Sequence, residues 1–549
     1  MRMIVEHKAP QINLEELPKD VEGCQALIVE LVEAMGRQQV LNERLQHQLE
    51  QLLRHRYGRR ADQVDPSQLM LFYEELVKNE VASKDVEPEE EAKEEPKKPS
   101  KKNGRRKLPD HLPRQEVRHD VADEEGKRCS ECGMEKVVIR EERTEQLEYV
   151  PASLLVLEHV QPIWACPKGC EGQMVMEAKP AQPIEKGLPG PGLLAHVVTS
   201  KYGDHQPLNR LEQILKRNGV HISRQTMWNW VWAVAMLLHP LWELLKAELL
   251  ASWILLTDDT PVQMRGQKVK SRMWVYIGDE YHPHIVFEHT RSRERDGPME
   301  FLKGFKGILL ADAYPGYDGL FKDGQVEEAG CWAHARRKFV EAESSDPARS
   351  LTMVAWIKRL YEVEREAKAF LEELPEDMDS MDKYERFVEH RYELRQKRSR
   401  QLIEGYDDEN GDHIEGLEEW LKKQQTLPKS PMGEAISYTL NNMKAFKKYL
   451  DNGALEMDNN ASERALRQIA LGRNNWGVLG SKRGGTAAAI LYSFILTCKR
   501  HDIDPFEYFR DVLSRISTHP TSELRDLLPD RWKALREQAQ TAATSSPSA

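Results

Sequence analysis

ILLTDDTPVQM, residues 254–264, and LLADAYPGYDGL, residues 309–320, each run an apolar stretch directly into an aspartate. A short apolar run of this kind reads as a buried strand. A carboxylate at its C-terminal end then sits at the rim of the sheet, where α/β proteins bind their ligands. Place, not charge, thus distinguishes Asp258 and Asp312 among 90 acidic residues. The pattern gives strands at Ile254–Asp258, Met273–Gly278, His284–Phe287 and Ile308–Ala311, with a helix near Met299–Lys303. Three successive strands, a helix and a further strand suit a mixed sheet with helices on its faces.

A third acid stands in MDNNASERALRQIALGRNNWG, residues 457–477, where Glu463 shares a predicted helix face with Leu466 and Ala470. Phosphodiester chemistry uses such carboxylates to hold two divalent ions about 3.5–4 Å apart, one at the attacking and one at the leaving oxygen. Each acid also has a plainer reading. Asp258 and Asp259 could open a turn before Pro261, and Asp312 could start the turn at Tyr314-Pro315-Gly316. Asn460-x-x-Glu463 has capping-box spacing, and Glu463 could pair with Arg467 one turn on. Strand alternation alone leaves open whether Asp258 or Asp259 faces a metal. Arg464, Arg467, Arg473, Lys482 and Arg483 surround Glu463 in sequence, as phosphate contacts or as a solvated face.

Upstream, four of the seven cysteines form two close pairs, Cys129-x2-Cys132 and Cys166-x3-Cys170. That spacing is metal arithmetic: four thiolates on two knuckles close a tetrahedral, structural zinc site in a module too small for a core of its own. Leu154-Leu155-Val156-Leu157 reads as a strand between them. Leu208–Arg217 reads as a helix and Asn218-Gly219-Val220 as a turn. Ser223 then N-caps a second helix through Trp232. Met227, Trp230, Val231 and Val234 make one face of it and leave Arg224, Gln225, Trp228 and Asn229 outward. This is a helix-turn-helix pattern able to enter a major groove, or equally two packed helices that touch no DNA.

From Ile28, residues Leu31, Met35, Leu41, Leu45, Leu49 and Leu52 recur at helical spacing, as in a coiled coil or a helix packed on its own protein. An acid-rich stretch from Asp85 to Glu95 precedes Lys97, Lys98, Lys101, Lys102, Arg105, Arg106 and Lys107, a charged linker whose basic end could grip phosphates. Net charge is −11, which excludes a protein that coats nucleic acid through bulk electrostatics. No apolar run approaches the roughly 18 residues of a membrane span, and the N-terminus has no signal-peptide pattern, so the expected location is the cytoplasm. Residues and spacing alone stop at a multidomain, zinc-binding protein with the makings of a nucleic-acid enzyme.

At these motifs the chain resembles the large, DDE-type transposase of the insertion sequence 66 family. The resemblance runs from about Leu41 to Leu528, through LRHRYGRRADQVDPSQLMLF from Leu53, both cysteine pairs, KYGDHQPLNRLEQILKRNGVHISRQT from Lys201, and CWAHARRKF from Cys331. The family's acidic motifs match TDDTP at Thr257, LLADAYPGYDG at Leu309 and DNNASERALR at Asp458. The sequence departs from the family at Thr257 and Asp259, where Ala and Glu are usual. It also has Gln468 in place of Pro, Asn474 in place of Lys, and a third spacer residue in the second knuckle.

The resemblance implies a ribonuclease-H-like catalytic core with catalytic, magnesium- or manganese-binding roles at Asp258, Asp312 and Glu463, and Asp259 directed elsewhere. Its reaction would be hydrolysis at the transposon ends, then attack of the freed 3′-hydroxyl on target DNA. Double-stranded DNA, both terminal inverted repeats and target, is the implied partner, with self-association and small accessory proteins of the same element. The alternatives are a ribonuclease-H-like nuclease and a domesticated, catalytically weak DNA-binding protein.

The expected organisation is an N-terminal helical, coiled-coil region at 1–80, a charged linker at 81–113, a four-cysteine zinc module at 114–180 and a helix-turn-helix-like region at 181–250. The catalytic core follows in two parts, 251–344 and 453–500, split by a helical insertion at 345–452 that should leave and re-enter near the site. A C-terminal helical region at 501–540 and a disordered tail at 541–549 complete the chain.

Overall fold

The computed structural model describes residues 154–157, 163–164, 175–176, 181–185, 187–266 and 270–545. The coiled-coil helix, the charged linker with Arg105, Arg106 and Lys107, and Cys129, Cys132, Cys166 and Cys170 lie outside the described residues. Strands β1 (Ile163–Trp164) and β2 (Val175–Met176) pair antiparallel, Ile163 with Met176 and Trp164 with Val175. Leu154–Leu157, by contrast, is not a strand, and Val156 is 94% exposed. The elements below belong to the unit that contains His159–Ala549.

A five-stranded sheet organises this unit: β3 (Ile254–Val262), β4 (Ser271–Ile277), β5 (Ile285–Thr290), β6 (Gly307–Ala311) and β7 (Val326–Gly330), in the order β5-β4-β3-β6-β7. β5, β4 and β3 are antiparallel, while β3, β6 and β7 run parallel. β7 was not expected, because VEEAG reads as polar. It is an edge strand, so Glu327 points to solvent while Val326, Ala329 and Gly330 are buried.

β3 is longer than its apolar run. TDDTP looks like a turn, yet antiparallel pairing with β4 continues to Val262↔Ser271, whereas parallel pairing with β6 stops at Leu256↔Leu310. Pro261, which has no N–H to donate, is tolerated because β3 has lost its second neighbour there.

Helices α1 (Pro191–Val198), α2 (Leu208–Arg217) and α3 (Arg224–Leu250) precede the sheet. The Ser223 side chain accepts from Thr226 N, which fixes the start of α3. The helix does not stop at Trp232. It continues through Pro240 to Leu250, burying Leu238, Leu241, Trp242, Leu245 and Leu249 along a stripe that outweighs the proline's lost hydrogen bond. Helix α4 (Asp296–Phe301) begins and ends slightly before the expected segment.

The open edge of β5 is closed by a helix. After α5 (Trp332–Ala342), the insertion helices α6 (Pro347–Glu373), α7 (Ser380–Leu394), α8 (Arg400–Glu404), α9 (Leu417–Lys423), α10 (Pro431–Asn441) and α11 (Met443–Lys447) lead to α12 (Asn460–Trp476) and α13 (Lys482–Arg500). On α13 the Ser493 hydroxyl accepts from Phe287 N at 2.8 Å, and Thr497 both accepts from Ile285 N and donates to Ile285 O. Two hydroxyls thereby satisfy backbone groups that an uncovered edge would present to another chain. The fit needs Gly485: a Cβ there would meet the His289 ring at 2.3 Å. Helices α14 (Pro505–Arg515) and α15 (Pro529–Ser545) follow, and α15 carries Thr541–Ser545, part of the segment expected to be disordered.

Residues 345–452 are mostly helical, with one small hairpin, β8 (Tyr406–Asp407) and β9 (His413–Ile414). Arg395, which opens the wide helical turn Arg395–Ser399 after α7, is completely buried. Its Nε and Nη2 grip both oxygens of Glu364 on α6 at 2.7 Å, and its Nη1 donates to the carbonyls of Tyr449, Asn452 and Leu455. Arg391 adds bonds to Gly453 O and Glu456. A buried ion pair is costly to form, and its value lies in geometry: here it fixes the chain returning from the insertion.

Removing one partner should therefore be expensive. Arg395→Met leaves the buried Glu364 carboxylate with only the 3.9 Å contact to Arg391 and should cost about 3–5 kcal/mol. Chemical denaturation of the full chain should show this loss, and a change below about 1 kcal/mol would mean that the buried pair contributes little to this return segment.

Candidate active site

Asp258 and Asp312 reach one place because β3 and β6 are parallel neighbours. Asp258 lies two residues beyond the last β3–β6 pair, and Asp312 follows directly on β6. Next comes Ala313 with φ +57°, a left-handed conformation rare outside glycine that turns the chain sharply at the rim. Tyr317 hydrogen-bonds Thr257 at 3.1 Å beneath it, and Tyr438 of the insertion donates to Asp312 O.

Glu463 arrives on α12, whose start is anchored by Asn459. This fully buried side chain donates from Nδ2 to Thr257 O at 2.8 Å, and its backbone N–H donates to Cys331 Sγ. Trp332 N donates to Met457 O. The start of α5, which leads into the insertion, is thus bonded to the segment returning from it, beside the aspartates. Burial pushes the Cys331 thiol up to about 12, so it acts as a packed acceptor and not as a nucleophile.

The capping-box reading of Asn460 and Glu463 does not hold, since Asn460 Nδ2 binds Asp458 and Glu463 turns to α5. There Arg337 donates to Glu463 Oε1 at 2.8 Å, His334 Nε2 lies 3.8 Å from the same oxygen, and no pairing with Arg467 forms. Burial lowers the His334 pKa, and its Nδ1 has no hydrogen-bond partner. CWAHARRKF was legible as a motif, but its spacing gave no sign that His334 and Arg337 meet Glu463.

Asp258 and Asp259 part ways. Asp258 Oδ1 accepts from Asp259 N at 2.7 Å, and its carboxyl is raised to about 7, first by burial and then by the charges of Asp312, Asp259 and Glu463 against that one hydrogen bond. Asp259 is held by two arginines, Arg272 at 2.9 Å and Arg293 at 2.8 Å, with its side chain 1% exposed. Burial raises its pKa while both arginines oppose the shift. Neither arginine was singled out by sequence, because pairing across β4 and the loop after β5 is invisible to local spacing.

Asp258, Asp312 and Glu463 offer only oxygen, the donor type that hard divalent cations such as magnesium or manganese take. The candidate DNA-contact residues divide. Arg224, Gln225, Asn229, Arg464, Arg467, Lys482 and Arg483 are exposed. Arg473 is not a free contact: its Nη1 donates to Pro261 O at 2.6 Å and holds α12 against β3.

Sheet, rim acids and covering helix define a class, a mixed α/β protein with acidic side chains at one rim of its sheet. Residues 186–487 match the family described as "Transposase IS66 family", and 493–529 match its C-terminal element. Residues 127–171, which contain both cysteine pairs, match "zinc-finger binding domain of transposase IS66", which supports a structural zinc ion. Residues 44–117 match "Transposase C of IS166 homeodomain". The chain belongs to the IS66 transposase family. Similar relatives from Sinorhizobium fredii (strain NBRC 101917 / NGR234) are uncharacterized protein y4hP, 31% identical over 89% of this chain and 88% of its own, and uncharacterized protein y4jD, 29% identical over 95% and 98%. No helix among the described residues is long and apolar enough to cross a membrane.

The raised carboxyl predicts a measurable strain. Between 3.8 and about 7 the folded chain holds a proton on Asp258 that the unfolded chain releases, so stability falls as pH rises through that window. In the presence of a chelator, Asp258→Asn should melt several degrees above wild type at pH 8 and together with it at pH 4. Equal melting at both pH values would show that the carboxylate is not strained.

Proposed function

We propose that this protein is a DNA transposase that binds the terminal inverted repeats of its insertion sequence and catalyses strand cleavage and strand transfer at Asp258, Asp312 and Glu463. The observation that carries the reading is the meeting of these three residues, from two parallel strands and a distant helix, close enough for their charges to act on Asp258. The strand order, with three antiparallel strands followed by two parallel ones, suits a ribonuclease-H-like core.

Two divalent ions held by these oxygens would activate the attacking oxygen and stabilise the leaving one in each in-line displacement at phosphorus. The chain's own groups prepare that site. Asp258 and Asp312 present their carboxylates from rigid strand ends, while Arg337 fixes the Glu463 carboxylate and Asn459 seats its helix. The same site serves hydrolysis, which frees a 3′-hydroxyl, and the attack of that hydroxyl on target DNA.

Exposed Arg224, Gln225 and Asn229 open α3 as a recognition helix would, and Gln225 bonds Asn229 as if pre-set for a base edge. Arg464, Arg467, Lys482 and Arg483 serve as phosphate contacts near Glu463, and Arg105, Arg106 and Lys107 of the linker are further phosphate contacts. The N-terminal helix serves self-association, which brings two transposon ends together. Cys129, Cys132, Cys166 and Cys170 are the four thiolates of the structural zinc.

Asp258→Ala, Asp312→Ala and Glu463→Ala should each abolish cleavage of the element's own ends in magnesium, yet retain end binding in a gel-shift assay. Wild-type-like cleavage by Asp312→Ala would refute the assignment. The full chain should also carry one tightly held zinc by elemental analysis, lost on Cys→Ser replacement at any of the four positions. Retention of zinc by all four variants would move the ligands elsewhere.

A further inference from the structure

The loop after β5 places an arginine between the two aspartate-bearing parts of the site. Trp274 Nε1 donates to Thr290 Oγ1, which donates in turn to Ser292 O, so the loop leaves the sheet at a fixed angle. Arg293 Nε then donates to Asp259 Oδ1 at 2.8 Å. Its guanidinium lies 4.1 Å from the Tyr314 ring centroid, and the Tyr314 hydroxyl donates to Arg293 O. Asp259, ring and loop hold this side chain without any help from Asp312.

The contact with Asp312 is of a different kind. Arg293 Nη2 meets Asp312 Oδ2 at 3.4 Å, longer than the roughly 2.7–2.9 Å of a firm charge-assisted bond. The side chain remains 37% exposed, so part of its donor fork is still open to an acceptor. A planar fork beside a metal-binding carboxylate matches the two non-bridging oxygens of a phosphate, a geometry that lysine does not reproduce.

Resting on the transposase reading, we propose that Arg293 is a phosphate-binding cation of the catalytic centre. In the metal-free protein it serves as the counter-charge of Asp312, and it gives up that carboxylate when a divalent ion binds. Asp259 is then a positioning residue that acts through Arg293, which gives a use to the acid beside Asp258. Arg272 occupies the other Asp259 oxygen and keeps the anchor in place.

Two readouts should move in opposite directions. Manganese titration of the metal-stripped full chain, with Asp312→Ala defining the signal from this site, should show several-fold tighter binding in Arg293→Gln, because a competing cation is gone. Cleavage of the element's ends by the same variant should fall by about 100-fold, the usual loss when one donor to a developing charge is removed. Arg293→Lys should bind manganese like wild type and cleave at an intermediate rate, which guards against a folding defect in the glutamine variant. A merely structural arginine would weaken both properties together. Unchanged or weaker manganese binding in Arg293→Gln overturns the proposal, as does wild-type cleavage by that variant. A wild-type chain that binds manganese through Asp312 but cuts nothing sinks the transposase reading instead, and the titration still decides the counter-charge role.

Discussion

Bringing Asp258, Asp312 and Glu463 together is electrostatically unfavourable, and most of the surrounding architecture answers that repulsion. Like charges in a partly buried place either take up protons or must be held against their mutual force. Here the holding is done by backbone: the parallel β3–β6 register fixes two of the acids, and the buried Asn459 seats the helix that brings the third. Arginines moderate the field without filling it, with Arg337 on Glu463 and Arg293 on Asp312. Asp258 feels both its surroundings and its neighbours: its carboxyl is raised to about 7, first by burial and then by the charges of Asp312, Asp259 and Glu463.

The insertion belongs to the same arrangement. Its helices could in principle drift relative to the sheet, which would carry Glu463 away from the rim. Arg391 and Arg395 prevent this by spanning α6, α7 and the segment 449–456 with charge-assisted bonds from two buried guanidinium groups. Tyr361 on α6 adds a bond to Asp458, one residue before the anchoring asparagine. The helix that carries Glu463 is thus registered against both the insertion and the sheet.

Much of this was readable in the residues. Apolar runs marked β3 and β6, the Ser223 cap marked the start of α3, and the aspartates stood out by position. What escaped the reading did so for identifiable reasons. β7 is an edge strand whose adjacent glutamates, Glu327 exposed and Glu328 half-buried, break the apolar signal, and β3 runs on through TDDTP because β4 supplies partners from across a turn. α3 passes Pro240 because tertiary burial outweighs local propensity. The partners of Glu463 and Asp259 come from α5, β4 and the loop after β5, and no local spacing announces a contact between residues 126 or 34 positions apart.

The bonding of Trp332 to Met457 and of Asn459 to Cys331 also bears on the order in which the protein is made. On the ribosome the sheet and both aspartates emerge first, and Glu463 follows only after the whole helical excursion. Loop closure over so long a stretch is entropically costly unless the excursion folds first and brings its ends together. A nascent or prematurely terminated chain would therefore carry the aspartates without their third partner. The rim of the sheet therefore gains its third acid only once the segment returning from residues 345–452 has been made and folded back onto the start of α5.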